Sequence, residues 1–145
     1  MAKADDFLNL VADYLEANGV TPVKTGIQPS EPANCVALLG LQGNTVQGNR
    51  DVPGLEFPRF QAVIRNEDYE DAATQFRALR TLLHGKIGLI LPVGAQTDPE
   101  EADPDPYVRV LRCHADQEGG PIGEDDKGRY EFSINFAAEI HYVDA

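Results

Sequence analysis

"YEFSINFAAEIHY" (130–142) alternates without interruption. Tyr130, Phe132, Ile134, Phe136, Ala138, Ile140 and Tyr142 are apolar or small, and Glu131, Ser133, Asn135, Ala137, Glu139 and His141 stand between them. Successive side chains of a strand point to opposite faces, so the stretch predicts one long strand with a buried face and a wet face. Its length exceeds the usual strand of about five or six residues. The question it poses is what so long a strand serves, and what its polar face meets.

Working outward, "YVRVLRCHAD" (107–116) predicts another strand, joined to the last by "QEGGPIGEDDKG" (117–128). "RFQAVIRN" (59–66) alternates Phe60, Ala62 and Ile64 against Gln61, Val63 and Arg65 and runs into a helix over 66–86. There Asn66 is placed to cap, acidic residues fill the first turn, and Tyr69, Ala72, Ala73, Phe76, Leu79 and Leu83 form the apolar stripe. Gly85 stops it, and "IGLIL" (87–91) is a brief strand. Upstream, Asp5 to Asn18 predicts a first helix, with Phe7, Leu8, Val11, Tyr14 and Leu15 at helical spacing. "TPVKTGIQPSEPAN" (21–34) is a linker or an edge segment, and "CVALLGL" (35–41) a strand covered on both faces. Segments 42–58 and 92–106 are long loops. The order predicts an α+β fold: a mainly antiparallel sheet with two main helices on one face.

The 145 residues suit a single domain, 1–145, and 42% hydrophobic content supplies its core. The N-terminal residues lack the pattern of a signal peptide, and no apolar run nears the ~20 residues of a membrane span, so synthesis in a cytoplasm is expected. Cys35 and Cys113 read as buried free thiols of a reducing compartment, with a disulfide as the alternative. The formal charge of −12 argues against a surface that grips nucleic acid. The acids gather in "DPEEADPDP" (98–106), "EDYED" (67–71) and "GEDD" (123–126).

No catalytic or cofactor chemistry emerges. His84, His114 and His141 have no partners at zinc-ligand spacing. "GLQGNTVQG" (40–48) has no Lys-Ser/Thr after its glycines, no serine sits in a nucleophile elbow, and "DPEEADPDP" has the acids but too much proline and no glycine for a calcium loop. A non-enzyme without cofactor or metal is expected.

Two stretches, "FQAVIRNEDYEDAATQFRALRTLL" (60–83) and "GPIGEDDKGRYEFSINFAAEI" (120–140), resemble the minor capsid and tail terminator proteins of long-tailed phages. In the first, an apolar strand ends in Arg65 before a helix; in the second, Pro121, Gly123, Gly128 and Arg129 precede the long strand. The resemblance implies a curved antiparallel sheet with packed helices, and a virion protein of the tail or neck. Such proteins form a ring, usually hexameric, that caps the tail tube and meets a head-completion protein while DNA passes through the lumen unbound. The alternatives are a head-closure or connector-completion role in the same machine, or a monomeric binding module.

A ring would use the long strand's edge and polar face against a neighbour or around the lumen. Arg65 and Arg129 are then candidates for pairing with a neighbour's carboxylates, and Glu131, facing outward on the long strand, is a further interface candidate. Leu55 and Phe57 are candidate apolar anchors, or else the start of the next strand. Asp98, Glu100, Glu101, Asp103, Asp105, Glu124, Asp125 and Asp126 are candidate lumen acids that would repel DNA.

Overall fold

A computed structural model describes residues 4–41, 54–92 and 107–143. Helix α1 (Ala4–Ala17) is followed by strands β1 (Val23–Thr25), β2 (Cys35–Gly40), β3 (Leu55–Glu56) and β4 (Arg59–Asn66). Helix α2 (Tyr69–Leu83) leads to β5 (Leu89–Leu91), β6 (Tyr107–Ala115), β7 (Gly120–Glu124) and β8 (Tyr130–Val143). The fold is α+β: one curled sheet in the order β1-β2-β4-β8-β6-β5, antiparallel except where β1 runs parallel to β2.

The length of β8 has an internal cause. One of its edges pairs with β4 over Tyr130–Ala137 and with β3 at Ile140 and His141. The other pairs with β7 over Tyr130–Ser133 and with β6 over Phe136–Val143. Each flank is thus a pair of strands laid end to end, broken at Phe57-Pro58 on one side and at 116–119 on the other. The expectation that the long strand offers an edge to a neighbour is therefore corrected: β8 is the spine, with both edges occupied by its own chain.

The alternation read from the sequence sets the core. Phe132, Ile134, Phe136, Ala138, Ile140 and Tyr142 are buried, as are Phe60, Ala62 and Ile64 opposite them on β4. Both helices cover this face. Phe7 of α1 meets Phe60 edge-on at 5.9 Å, and Phe60 stacks on Phe136 at 5.3 Å. Tyr69 and Phe76 of α2 each lie 5.3 Å from the Phe132 ring, and Tyr69 meets Tyr130 at 5.5 Å. The helices are tied together by the Tyr14 hydroxyl, which donates to the Leu82 carbonyl at 3.2 Å. Aromatic pairs at these separations add about 0.5–1.5 kcal/mol each beyond burial.

Local details differ from the sequence expectations for definite reasons. β4 stays extended through Asn66, so α2 starts later and Asp68 caps it, accepting from the backbone N–H groups of Glu70 and Asp71. Asn66 instead accepts from the N–H of Asp68, turning the chain into the helix. The stretch 117–128 is not a bare link: it carries β7. Leu55 lies in β3, opposite His141, which is the strand-start alternative.

Candidate assembly surface

The face of the sheet away from the helices carries Arg65, Glu131 and Leu55 among the sequence-derived candidates. Arg65 on β4, Cys35 on β2 and Glu131 on β8 lie side by side on it. Across this row runs the proline-rich segment 28–33, strapped down by hydrogen bonds. Arg65 Nη2 donates to the Pro32 carbonyl at 2.7 Å and Arg65 Nε to Ala33 at 3.1 Å. Arg129 Nη1 donates to the Ser30 carbonyl at 2.8 Å, and Gln28 Nε2 to Glu131 Oε2 at 2.7 Å. Both arginines are buried. The planar fork of Arg65 suits this task because it donates to the adjacent carbonyls of Pro32 and Ala33 at once.

Asp125 organises the β7–β8 turn beneath the strap. Its Oδ1 accepts from the backbone N–H groups of Lys127 and Arg129, and its Oδ2 takes Arg129 Nε at 2.7 Å. Partial burial alone would raise its carboxyl pKa, but the hydrogen bonds and charge of Arg129 and the Lys127 N–H outweigh that and hold it below its ordinary value of 3.8. Glu124 and Asp126, its neighbours, are exposed. The candidate acids Asp98, Glu100, Glu101, Asp103 and Asp105 lie outside the described residues.

Toward the other end of β8, the same face holds a second group that the sequence reading did not single out. Arg59 Nη2 sits 2.8 Å from Asp116 Oδ2, and Arg112 Nη2 sits 2.9 Å from Glu139 Oε1. His114 Nε2 is 3.9 Å from Asp116. Half-buried Phe57 closes a groove of about 360 Å³ beside these pairs, with Ala137 in its lining. The alternation of "YVRVLRCHAD" signals that charged residues share a face. It does not reveal the irregularity between Val110 and Arg112 that brings Arg112 opposite Glu139. Exposed pairs of this kind are worth about 0.2–1 kcal/mol, so they shape the surface more than they stabilise the fold.

The two cysteines are free and buried. Burial pushes the Cys113 thiol up to about 12, with nearby Asp116 adding to the effect. Burial also raises the Cys35 thiol, partly offset by Arg65 and Arg129. Among the described residues there is no cluster that could hold a metal ion, and no helix long and apolar enough to cross a membrane.

No curated protein matches the chain significantly. Residues 14–142 match the family model described as bacteriophage tail terminator protein. The match runs from within α1 to the penultimate residue of β8, and so takes in every strand, the strap, the Asp125 turn and both ion-paired groups. The chain belongs to the bacteriophage tail terminator family, the structural proteins of the phage tail.

Proposed function

We propose that this protein acts without catalysis, as a ring of six copies that closes the finished tail tube and presents its far side to a head-completion protein. The carrying observation is the uneven coverage of the sheet. Both helices lie on one face, whereas from Ser133 to His141 the other face of β8 remains half-exposed, edged by Phe57 and the Arg59–Asp116 and Arg112–Glu139 pairs. A polar, sculpted face of this kind suits contact with a neighbouring subunit, where ion pairs select partner and register more than they add affinity. In this reading Arg65, Arg129 and Glu131 serve the interface by fixing the strap, while Leu55 and Phe57 border the contact directly.

The net charge of −12 per copy fits a channel for DNA. Acids of the 98–105 run, together with exposed Glu124 and Asp126, would keep the lumen negative and the genome unbound; Asp125 is already committed to its turn. The test is mass in solution across a concentration series, alone and with assembled tail tubes. A six-fold species that tubes promote is expected. A monomer under every condition, tubes included, overturns the ring.

A further inference from the structure

A groove of about 470 Å³ lies on the helix side of the molecule, between α2 and the 118–121 stretch that leads into β7. Tyr69, Phe76 and Phe132 give it aromatic surface, and Tyr69 is 44% exposed despite its two ring contacts. Arg77 and Arg80, one helical turn apart, also line it. Neither has a carboxylate within ion-pair distance among the described residues, and the Arg80 Nε is buried without an acceptor. The chain has 24 acids to 12 Lys and Arg, and Arg59, Arg112 and Arg129 each hold a carboxylate. Arg65, by contrast, is satisfied by the carbonyls of Pro32 and Ala33, which leaves the buried Arg80 Nε as the guanidinium donor without an acceptor among the described residues. A buried donor on a charged group without a partner costs free energy that an arriving acceptor would recover.

We infer that this groove receives the acidic, proline-rich segment 98–106, "DPEEADPDP", of a second copy of the chain. The inference rests on the ring reading, which brings copies together. Charge and shape agree. Prolines present rigid, extended chain to aromatic surfaces, and carboxylates spaced along it meet guanidinium forks two-pronged. Glu70 and Glu118 also line the groove, without pairing to either arginine. Glu70 sits about 15 Å along the helix from Arg80, which leaves the arginine end of the groove open to incoming acids.

The aromatic end of the groove lies beyond the reach of the chain's own segment, so filling the whole groove calls for a neighbour. Segment 93–106 leaves the sheet after Leu91 and returns at Tyr107, and Leu91, Val108 and Tyr142 lie in line across β5, β6 and β8. The groove's Phe132 is ten residues along β8 from Tyr142, about 33 Å at strand rise. A segment of this length fastened at both ends reaches about 25 Å at full stretch, and only with its tip. Two of the five acids suffice for the two arginines, leaving the others to keep the lumen negative.

The test is fluorescence anisotropy of a fluorescein-labelled peptide of residues 97–107 titrated with the full chain. Saturable binding is expected, at least tenfold weaker in 0.5 M than in 0.05 M NaCl, and at least tenfold weaker to Arg77→Glu/Arg80→Glu. Arg77→Glu alone, at an exposed position, should weaken it severalfold at an unchanged melting temperature, which separates lost binding from lost folding. No binding, or equal binding by a peptide with all five acids replaced by amides, overturns the inference. So does binding only to a chain whose own five acids are amides, since the groove would then be filled from within. The peptide titration stands apart from assembly: a chain that never forms rings yet binds the peptide through Arg77 and Arg80 defeats the ring and keeps the groove. Rings that form while the peptide does not bind do the reverse.

Discussion

Arg129 reaches back 99 residues to hold Ser30, its Nη1 donating to the Ser30 carbonyl at 2.8 Å while its Nε holds Asp125 at 2.7 Å. One buried side chain therefore fixes both the strap and the turn before β8. Arg129→Ala is expected to cost about 2–3 kcal/mol in chemical denaturation, since hydrogen bonds to charged groups are worth more than neutral ones and Asp125 would lose its counter-charge. Arg129→Lys should recover only part of this, because an ammonium cannot span two partners as a fork does. A loss below about 0.5 kcal/mol for the alanine variant would show that the strap is held by other contacts.

Acid should release the same latch. The Asp125 carboxyl is held below its ordinary 3.8 in the folded chain, so its contribution is fully present above that value. It is lost as pH falls through the lower, folded value. Asp125→Asn removes this dependence, and denaturation of the two proteins between pH 5 and about pH 2 should converge as pH drops. A constant gap across that range would place the acid sensitivity elsewhere.

Phe132 is 4% exposed and touches both Tyr69 and Phe76 of α2. Phe132→Ala should cost roughly 3–5 kcal/mol, the transfer of the ring plus the cavity it leaves. A loss under about 1 kcal/mol in a denaturant titration would mean that α2 does not rest on β8 as described.

Gly119 adopts φ +76° where the chain passes from β6 to β7, and a Cβ there would lie 2.8 Å from both Ile134 Cβ and the Ser133 carbonyl oxygen. Gly119→Ala therefore combines a left-handed backbone penalty of about 1–2 kcal/mol with a clash against the spine itself. Gly88→Ala is the control: φ is +74° there, but nothing lies within 4 Å of the added carbon. Melting temperatures should fall in both, and clearly further for Gly119→Ala.

Thiol reagents should find neither cysteine in the folded chain at pH 8. Cys113 is buried with its pKa pushed up to about 12, and Cys35 is buried under the strap with its own pKa raised. The thiolate is the reactive form, so both should label only as fast as the chain unfolds. Fast labelling of Cys35 alone would show that the strap opens independently.

The parts of this fold legible from sequence are those whose signal is periodic. β8 announces itself by alternation, the two helices by apolar stripes, and β2 by a short apolar run whose first four residues are all buried. What stayed hidden is short or depends on distant partners. β1, β3 and β7 have three, two and five residues, with proline or glycine in or beside them, and each exists because a longer strand supplies its hydrogen bonds. Arg65 and Arg129 stood out, yet nothing local indicates that their partners are the carbonyls of Ser30, Pro32 and Ala33. Nothing in the sequence singles out Arg77 and Arg80 on the polar side of the helix stripe. Only the folded chain marks them, by leaving the Arg80 Nε buried without an acceptor and neither side chain paired to a carboxylate among the described residues.

The sheet order implies a timetable of synthesis. Without β8 the strands fall into two separate groups, β1-β2-β4 and β5-β6, while β3 and β7 pair with nothing. β8 follows all of them in the chain, so a ribosome makes every plank before the beam that joins them. The contacts of β8 with β4 span some 70 residues, the kind of distant pairing that slows folding. Until β8 emerges, Phe60 lacks its stacking partner on Phe136 and the nascent chain must keep two partial sheets from aggregating. An excess of negative charge, self-repelling in any unfinished chain, is suited to that interval.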